Sequence, residues 1–329
     1  MPDQKKHSSI FSFSKKQKSF LKWTTVFFTP MVVLYVILEV LVLQIPYNYT
    51  KISDYMNSEG ESVKVLITGS SQMKCAVNPE FFTVPAINFG STSQHHNSDY
   101  NIITQTRDRL PNVEHIVLEL SYSHLELPHN STYFWKNNVY LKYYGVNNFD
   151  RKVYFKDKLI FLSRPDIYGK SLYNYYVKDI KNDNFNSFGF DEQNFAGVFK
   201  RLDYNEEKIP RVSDEINTIE NLYLFEKNTE FLYKIIDYLR SQKVNTVIVT
   251  LPMHKYYLKD RNNNILRRRD SILEVISEKY PNVRIFRKEE DTINFKTSDY
   301  INHNHLNPIG AKKFTEALQN FINEKNFPN

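Results

Sequence analysis

The 329-residue chain is long enough for one large domain or two small ones, and with 41% hydrophobic and 24% charged residues most of it is expected to be globular. Its single cysteine, Cys75, excludes an intramolecular disulfide and argues against a cysteine-based metal site. The net charge of +6 includes the N-terminal cluster Lys5, Lys6, Lys15, Lys16, Lys18 and Lys22, but no basic motif is interleaved with a nucleic-acid-binding module, so nucleic acid is not an expected partner.

Residues 24–44 are apolar except for Glu39, and as a helix these 21 positions span about 30 Å, the thickness of a bilayer core. Ile45-Pro46-Tyr47-Asn48-Tyr49 follows without a small-residue cleavage pattern, so a retained anchor is expected rather than a cleavable signal peptide. The preceding lysines place residues 1–23 in the cytoplasm and the chain after about residue 46 outside the inner (cytoplasmic) membrane. Glu39 reads two ways. It is either a carboxylate about one turn from the outer interface, reaching water or protonated, or a contact with a partner membrane protein.

After the anchor, residues 63–68 form a short β-branched run ending at Gly69, a buried strand. Asn78-Pro79 looks like a helix start, residues 86–90 like a second strand, 98–110 like a helix and 115–120 like a third strand. Residues 122 to about 217 are rich in Tyr, Phe, Asn and Lys without a clear period, and are expected to be an irregular or partly helical insertion. The helical period returns over 219–242, followed by a strand at 244–251, a helix at 265–280, a strand at 283–286 and a last helix at 308–323 with Asn307 as its N-cap. Five apolar strands alternating with helices predict an α/β fold: a five-stranded parallel sheet with helices on both faces, in an extracytoplasmic domain spanning 45–329. Gly69-Ser70-Ser71, Gly90-Ser91 and Ser121 fall at strand carboxyl ends, where such sheets bind ligands.

With these blocks in place, residues 63–121 and 244–323 resemble the SGNH (GDSL-like) hydrolase superfamily. By that resemblance, Gly69-Ser70-Ser71 stands for the nucleophile block, with Ser71 as nucleophile and Ser70 replacing an Asp. Asn88-Phe89-Gly90 stands for the block whose glycine N–H joins the oxyanion hole. Asn302-His303-Asn304-His305 stands for the Asp-x-x-His block, with His305 as base and Asn302 replacing Asp. The block that supplies an oxyanion Asn has no convincing match in Leu120-Ser121-Tyr122-Ser123. The anchor, the Gly-Ser-Ser block and the His-Leu-Asn ending are similar to envelope acyl-transfer proteins of teichoic-acid D-alanylation and alginate O-acetylation. These work beside a membrane acyltransferase of the MBOAT class.

The chemistry follows from the residue types. A serine hydroxyl needs a base to remove its proton, and His305 is that base if it reaches Ser71. The N–H groups of Ser71 and Gly90 are the oxyanion candidates. Asn302 can orient the imidazole without supplying charge, and Asp299, six residues before His305, is the alternative orienting residue. His303 and His305 at i, i+2 point apart in an extended segment, so no metal is expected there. No cofactor motif is present. His95, His96 and His254 are secondary candidates for lining a cleft. The expected function is that of a bacterial-type O-acyltransferase or esterase acting on an envelope polysaccharide; the alternative is a non-catalytic scaffold that binds glycan or recruits a membrane acyltransferase.

Overall fold

The computed structural model describes residues 13–181, 184–209 and 216–324. The helices in chain order are α1 (Lys15–Leu43), α2 (Asn48–Glu59), α3 (Ser71–Ala76), α4 (His96–Gln105), α5 (Asn137–Val139), α6 (Ile160–Ser163), α7 (Pro165–Leu172), α8 (Val198–Arg201), α9 (Leu222–Ser241), α10 (Lys255–Lys259), α11 (Asn263–Lys279) and α12 (Pro308–Asn323). The strands are β1 (Val65–Ile67), β2 (Ala86–Asn88), β3 (His115–Glu119), β4 (Asn245–Thr250), β5 (Val283–Arg287), β6 (Tyr300–Asn302) and β7 (His305–Leu306).

The chain divides into two compact units, Met1–Ile45 with Leu159–Ile180, and Pro46–Lys158 with Lys181–Asn329. The first is built on α1, a helix long and apolar enough to cross a membrane. It starts nine residues earlier than the apolar run because Ser14 and Gln17 form a capping box that stabilises the lysine-rich first turns. Residues 159–180, expected as part of the insertion in the 45–329 domain, group with this helix instead.

The second unit contains the sheet, ordered β2-β1-β3-β4-β5 with every pair parallel. Its strands are short and β-branched, and every residue of β1 and β2 is buried. The pleat sends alternate residues of β4 to opposite faces. Val247 and Val249 join a core with Val65, Ile67, Met73, Phe314 and Leu318, which places α3 and α12 on one face. Ile248 joins Leu232, Ile236, Leu273 and Ile276, which places α9 and α11 on the other.

Three local expectations are corrected. Asn78-Pro79 opens only a single 3-10 turn, Pro79–Phe81, in which the Asn78 side chain accepts the Glu80 amide at 3.2 Å. The helix expected over 98–110 starts at His96 and stops at Gln105, followed by the 3-10 turn Arg107–Arg109. The antiparallel pair β6–β7 was not expected, because a three-residue and a two-residue strand are too short to leave a periodic signal. The expected Asn307 cap is present, its side chain accepting the amides of Ile309 and Gly310 at 3.0 and 3.1 Å.

Gly69, between β1 and α3, has φ +143°, and a Cβ there would lie 2.5 Å from Met73 Cγ and 2.7 Å from Glu119 Oε2. Gly69→Ala is therefore expected to lower unfolding stability by roughly 1–3 kcal/mol, read as a lower urea midpoint at unchanged slope. A midpoint equal to that of the parent protein would show that this turn is not constrained.

Candidate active site

Ser71 is the first residue of α3, immediately beyond the carboxyl end of β1. Its amide therefore has no intrahelical acceptor. Ser70 is the N-cap, and its hydroxyl accepts the amide of Gln72 at 3.1 Å. At the far end of α3, Thr315 of α12 donates to Ala76 O at 3.3 Å and accepts the amide of Asn78 at 3.1 Å. The short helix is thus held at both ends.

His305 reaches this serine from the other end of the chain. Its Nε2 lies 2.8 Å from Ser71 Oγ across 234 positions of sequence. Its Nδ1 lies 3.0 Å from Asn302 Oδ1. The same oxygen accepts the amides of Asn304 and His305 at 3.1 and 3.0 Å. Two backbone donors fix which end of the Asn302 amide is oxygen. That oxygen can only accept, so His305 carries its proton on Nδ1 and presents the lone pair of Nε2 to the serine hydroxyl. The geometry thus brings Ser71, His305 and Asn302 together as expected.

Two other candidates are engaged elsewhere. Asp299 Oδ2 accepts the Lys296 amide at 2.8 Å and pairs with Lys313 of α12 at 2.7 Å. The Gly90 N–H, expected as an oxyanion donor, donates to Asn88 Oδ1 at 2.8 Å. Asn88 turns its side chain over the Asn-Phe-Gly bend, where Nδ2 also donates to Met73 O at 3.1 Å and Val77 O at 2.9 Å. This leaves the Ser71 amide as the remaining expected donor.

Glu119, at the end of β3, was not anticipated. Its Oε2 accepts the Ser70 amide at 2.6 Å and its Oε1 the Ser70 hydroxyl at 2.9 Å. Ser121 Oγ contacts Glu119 Oε1 and lies 2.6 Å from Gln72 Oε1. One serine proton cannot serve both acceptors, and a Gln72 amide turned to present its NH2 removes the conflict. Burial pushes the Glu119 carboxyl up, while the hydrogen bonds from Ser121 and Ser70 oppose it. The signal in the sequence was an acidic residue inside the apolar run Ile116-Val117-Leu118-Glu119-Leu120.

Behind this loop lies a buried histidine cluster. His95 Nδ1 accepts the His96 amide at 2.8 Å and its Nε2 donates to His124 O at 2.9 Å; His96 Nε2 donates to Glu119 O at 2.9 Å. Ligand atoms of His95, His96 and His124 lie within 4.8 Å of one another. The rings of His96 and His124 are stacked 4.2 Å apart with planes at 8°, so their in-plane lone pairs run parallel instead of converging as a shared ion requires. Both nitrogens of His95 are already engaged. Burial pushes His96 down to about 4, and burial and neighbouring imidazoles hold His95 and His124 well below the usual range. Asp99, beside them and bonded by Gln94 at 2.7 Å, is pushed up to about 8 by burial.

Burial also pushes Lys136 down to about 7, with Lys74 adding to the effect; its ammonium contacts Ser91 Oγ, and the Ser91 amide donates to Gly69 O at 3.0 Å. Burial pushes the Cys75 thiol up to about 11, so it is not a thiolate nucleophile. His254 is buried against Thr297, with Nε2 3.2 Å from Thr297 Oγ1, and His303 sits beside it with ring centroids 5.8 Å apart. A cavity of about 400 Å³ opens beside the Ser71–His305 pair, lined by neighbours of both, including Ser70, Gln72, Gln94, Ser121 and Asn304. Its wall is rich in hydroxyl and amide groups.

The buried titratable groups predict the pH dependence of stability. His96 binds its proton less readily folded than unfolded, so its contribution is lost as pH falls from 6.5 through about 4. Asp99 binds its proton more readily folded, so its contribution is present below 3.8 and lost as pH rises through about 8. Asp99→Asn is expected to remove the alkaline loss while leaving the acid loss, measured by urea unfolding across this range. An unchanged alkaline limb would assign that loss to another group.

No family model matches the chain, and no curated protein matches it. The functional reading therefore rests on the Ser71–His305–Asn302 geometry and on the sequence pattern around it.

Proposed function

We propose that this is a membrane-anchored protein of SGNH-like fold that transfers, or hydrolytically removes, an O-acyl group on an envelope polysaccharide. The observation that carries the reading is the relay in which Ser71 Oγ lies 2.8 Å from His305 Nε2 while Asn302 Oδ1 lies 3.0 Å from Nδ1. Ser71 attacks the acyl carbonyl as its proton moves to Nε2, and the carbonyl oxygen becomes an oxyanion facing the Ser71 amide. The intermediate collapses, the alcohol leaves with the proton from Nε2, and the acyl group stays on Ser71 as an ester. His305 then takes the proton of an acceptor hydroxyl, which attacks the ester; Ser71 recovers a proton from Nε2. A sugar acceptor makes the reaction a transfer and water makes it hydrolysis. The cavity lined by Ser70, Gln72 and Asn304 falls within the size range of small-ligand sites, and its hydroxyl and amide groups suit sugar hydroxyls.

In this reading α1 is a single span of the inner membrane, with the lysine cluster cytoplasmic and the catalytic unit outside. An MBOAT-type acyltransferase is the proposed donor partner. A second reading, a scaffold without turnover, draws on two observations. Asn302 supplies no negative charge to an imidazolium, and Asn88 occupies the Gly90 N–H.

Hydrolysis of a small acyl ester separates the two. Ser71→Ala is expected to lower kcat/KM by about three orders of magnitude or more. Asn302→Ala is expected to cost on the order of 10²-fold through misplacement of the imidazole. Asn302→Asp should match or exceed the parent, with the acid limb of its pH–rate profile at higher pH because an added carboxylate favours imidazolium. Turnover that Ser71→Ala leaves unchanged, or no turnover by the parent, favours the scaffold.

A further inference from the structure

Glu39, the one charged residue in the apolar run, is held by its own chain. Its Oε1 accepts the amide of Ile160 at 2.7 Å and its Oε2 the amide of Phe161 at 2.8 Å. These are the first amides of α6, which an isolated helix leaves without partners. A carboxylate in hydrocarbon and orphaned amides are each costly, and here each satisfies the other. Two more contacts fasten the same segment to α1. The Phe161 ring lies 6.1 Å from that of Tyr35, and Tyr176 Oη donates to Leu41 O at 3.0 Å.

These contacts fix a depth. At 1.5 Å per residue, Tyr35, Glu39 and Leu41 lie about 12, 6 and 3 Å inside the C-terminal end of α1 at Leu43. Segment 159–180 therefore lies alongside the last three turns of the helix, the band in which interfacial helices settle. Ile160, Phe161, Tyr168 and Leu172 are buried, yet Leu162, Tyr173, Tyr176, Val177 and Ile180 remain exposed. Water would leave this apolar row costly, whereas at that depth an acyl-chain boundary covers it. Tyr173, Tyr175 and Tyr176 supply the aromatic character of an interface, and Lys178 lies 5.3 Å over the Tyr173 ring.

We propose that residues 159–180 are a second membrane element, an interfacial clasp that packs on the C-terminal end of α1 and sinks its exposed apolar row into the lipid of that leaflet. The proposal rests on α1 being the span and is independent of any catalytic activity. Full-length protein carrying Cys75→Ala and one new cysteine at Leu162, Val177, Val33 or Glu274 is labelled with an environment-sensitive dye. It is reconstituted in vesicles of phosphatidylcholine and phosphatidylglycerol. Labels at Leu162 and Val177 are expected to emit at shorter wavelength than the exposed control at Glu274. A spin-labelled lipid with its quencher near the headgroup should quench them at least twofold more than that control. The Val33 label should respond better to a quencher deep in the acyl chain. Labels at Leu162 and Val177 that behave like Glu274 while Val33 is quenched would overturn the clasp. A Val33 label that is not quenched would remove the span on which the clasp rests. Glu39→Ala is expected to at least halve the quenching at Leu162 without changing it at Val33; equal quenching at Leu162 would refute the tether.

Discussion

The arrangement around Ser71 depends on one buried carboxyl group. Glu119 ends the central strand β3 and bonds both the amide and the hydroxyl of Ser70, at 2.6 and 2.9 Å. Gly69 has to pass close to it, which is why a residue without Cβ occupies a positive-φ position there. The resulting turn aims the first amide of α3 and the Ser71 hydroxyl out past the strand ends. Ser70 takes its carboxyl partner from β3, the strand beside β1 in the sheet.

Charge is sparse throughout this region. Asn302 orients His305 through a neutral oxygen, the histidine cluster behind the loop is held in its neutral form, and burial lowers the proton affinity of Lys136. Hydrogen bonds, more than ion pairs, set the geometry: Asn302 Oδ1 alone accepts three. At low dielectric such hydrogen bonds are stronger than in water, and an unpaired polar group is penalised more heavily. The loop carrying His305 is in turn built onto α12, with Asn307 capping the helix and Asp299 paired to Lys313. Asp299, the alternative orienting residue of the sequence reading, thereby fastens the hairpin to the last helix.

Much of this was legible in local sequence. The β-branched runs, the apolar α1 and the Asn307-Pro308 helix start each carry their signal within a few residues, and period, length and cap chemistry are local properties. The β6–β7 pair and the single turn after Asn78 escaped because elements of two or three residues have no period to read. Glu119 was visible only as an anomaly, an acid in a buried strand, and no sequence pattern states that an Asn88 side chain turns onto the Gly90 N–H.

By itself the sequence determined the parallel α/β alternation, the apolar helix, and the serine and histidine at the two ends of the sheet-forming chain. Tertiary structure decided which of these groups meet. Parallel strands end at one edge, so Ser71 after the first strand and His305 before the last helix come within 2.8 Å despite a sequence separation of 234. It also decided that Asn302 Oδ1 meets the imidazole while Asp299 pairs with Lys313, and that Glu39 bonds Ile160 and Phe161 from more than a hundred residues away. Hydrogen bonds form between groups close in space, and across such sequence separations only the packed fold sets which groups are close.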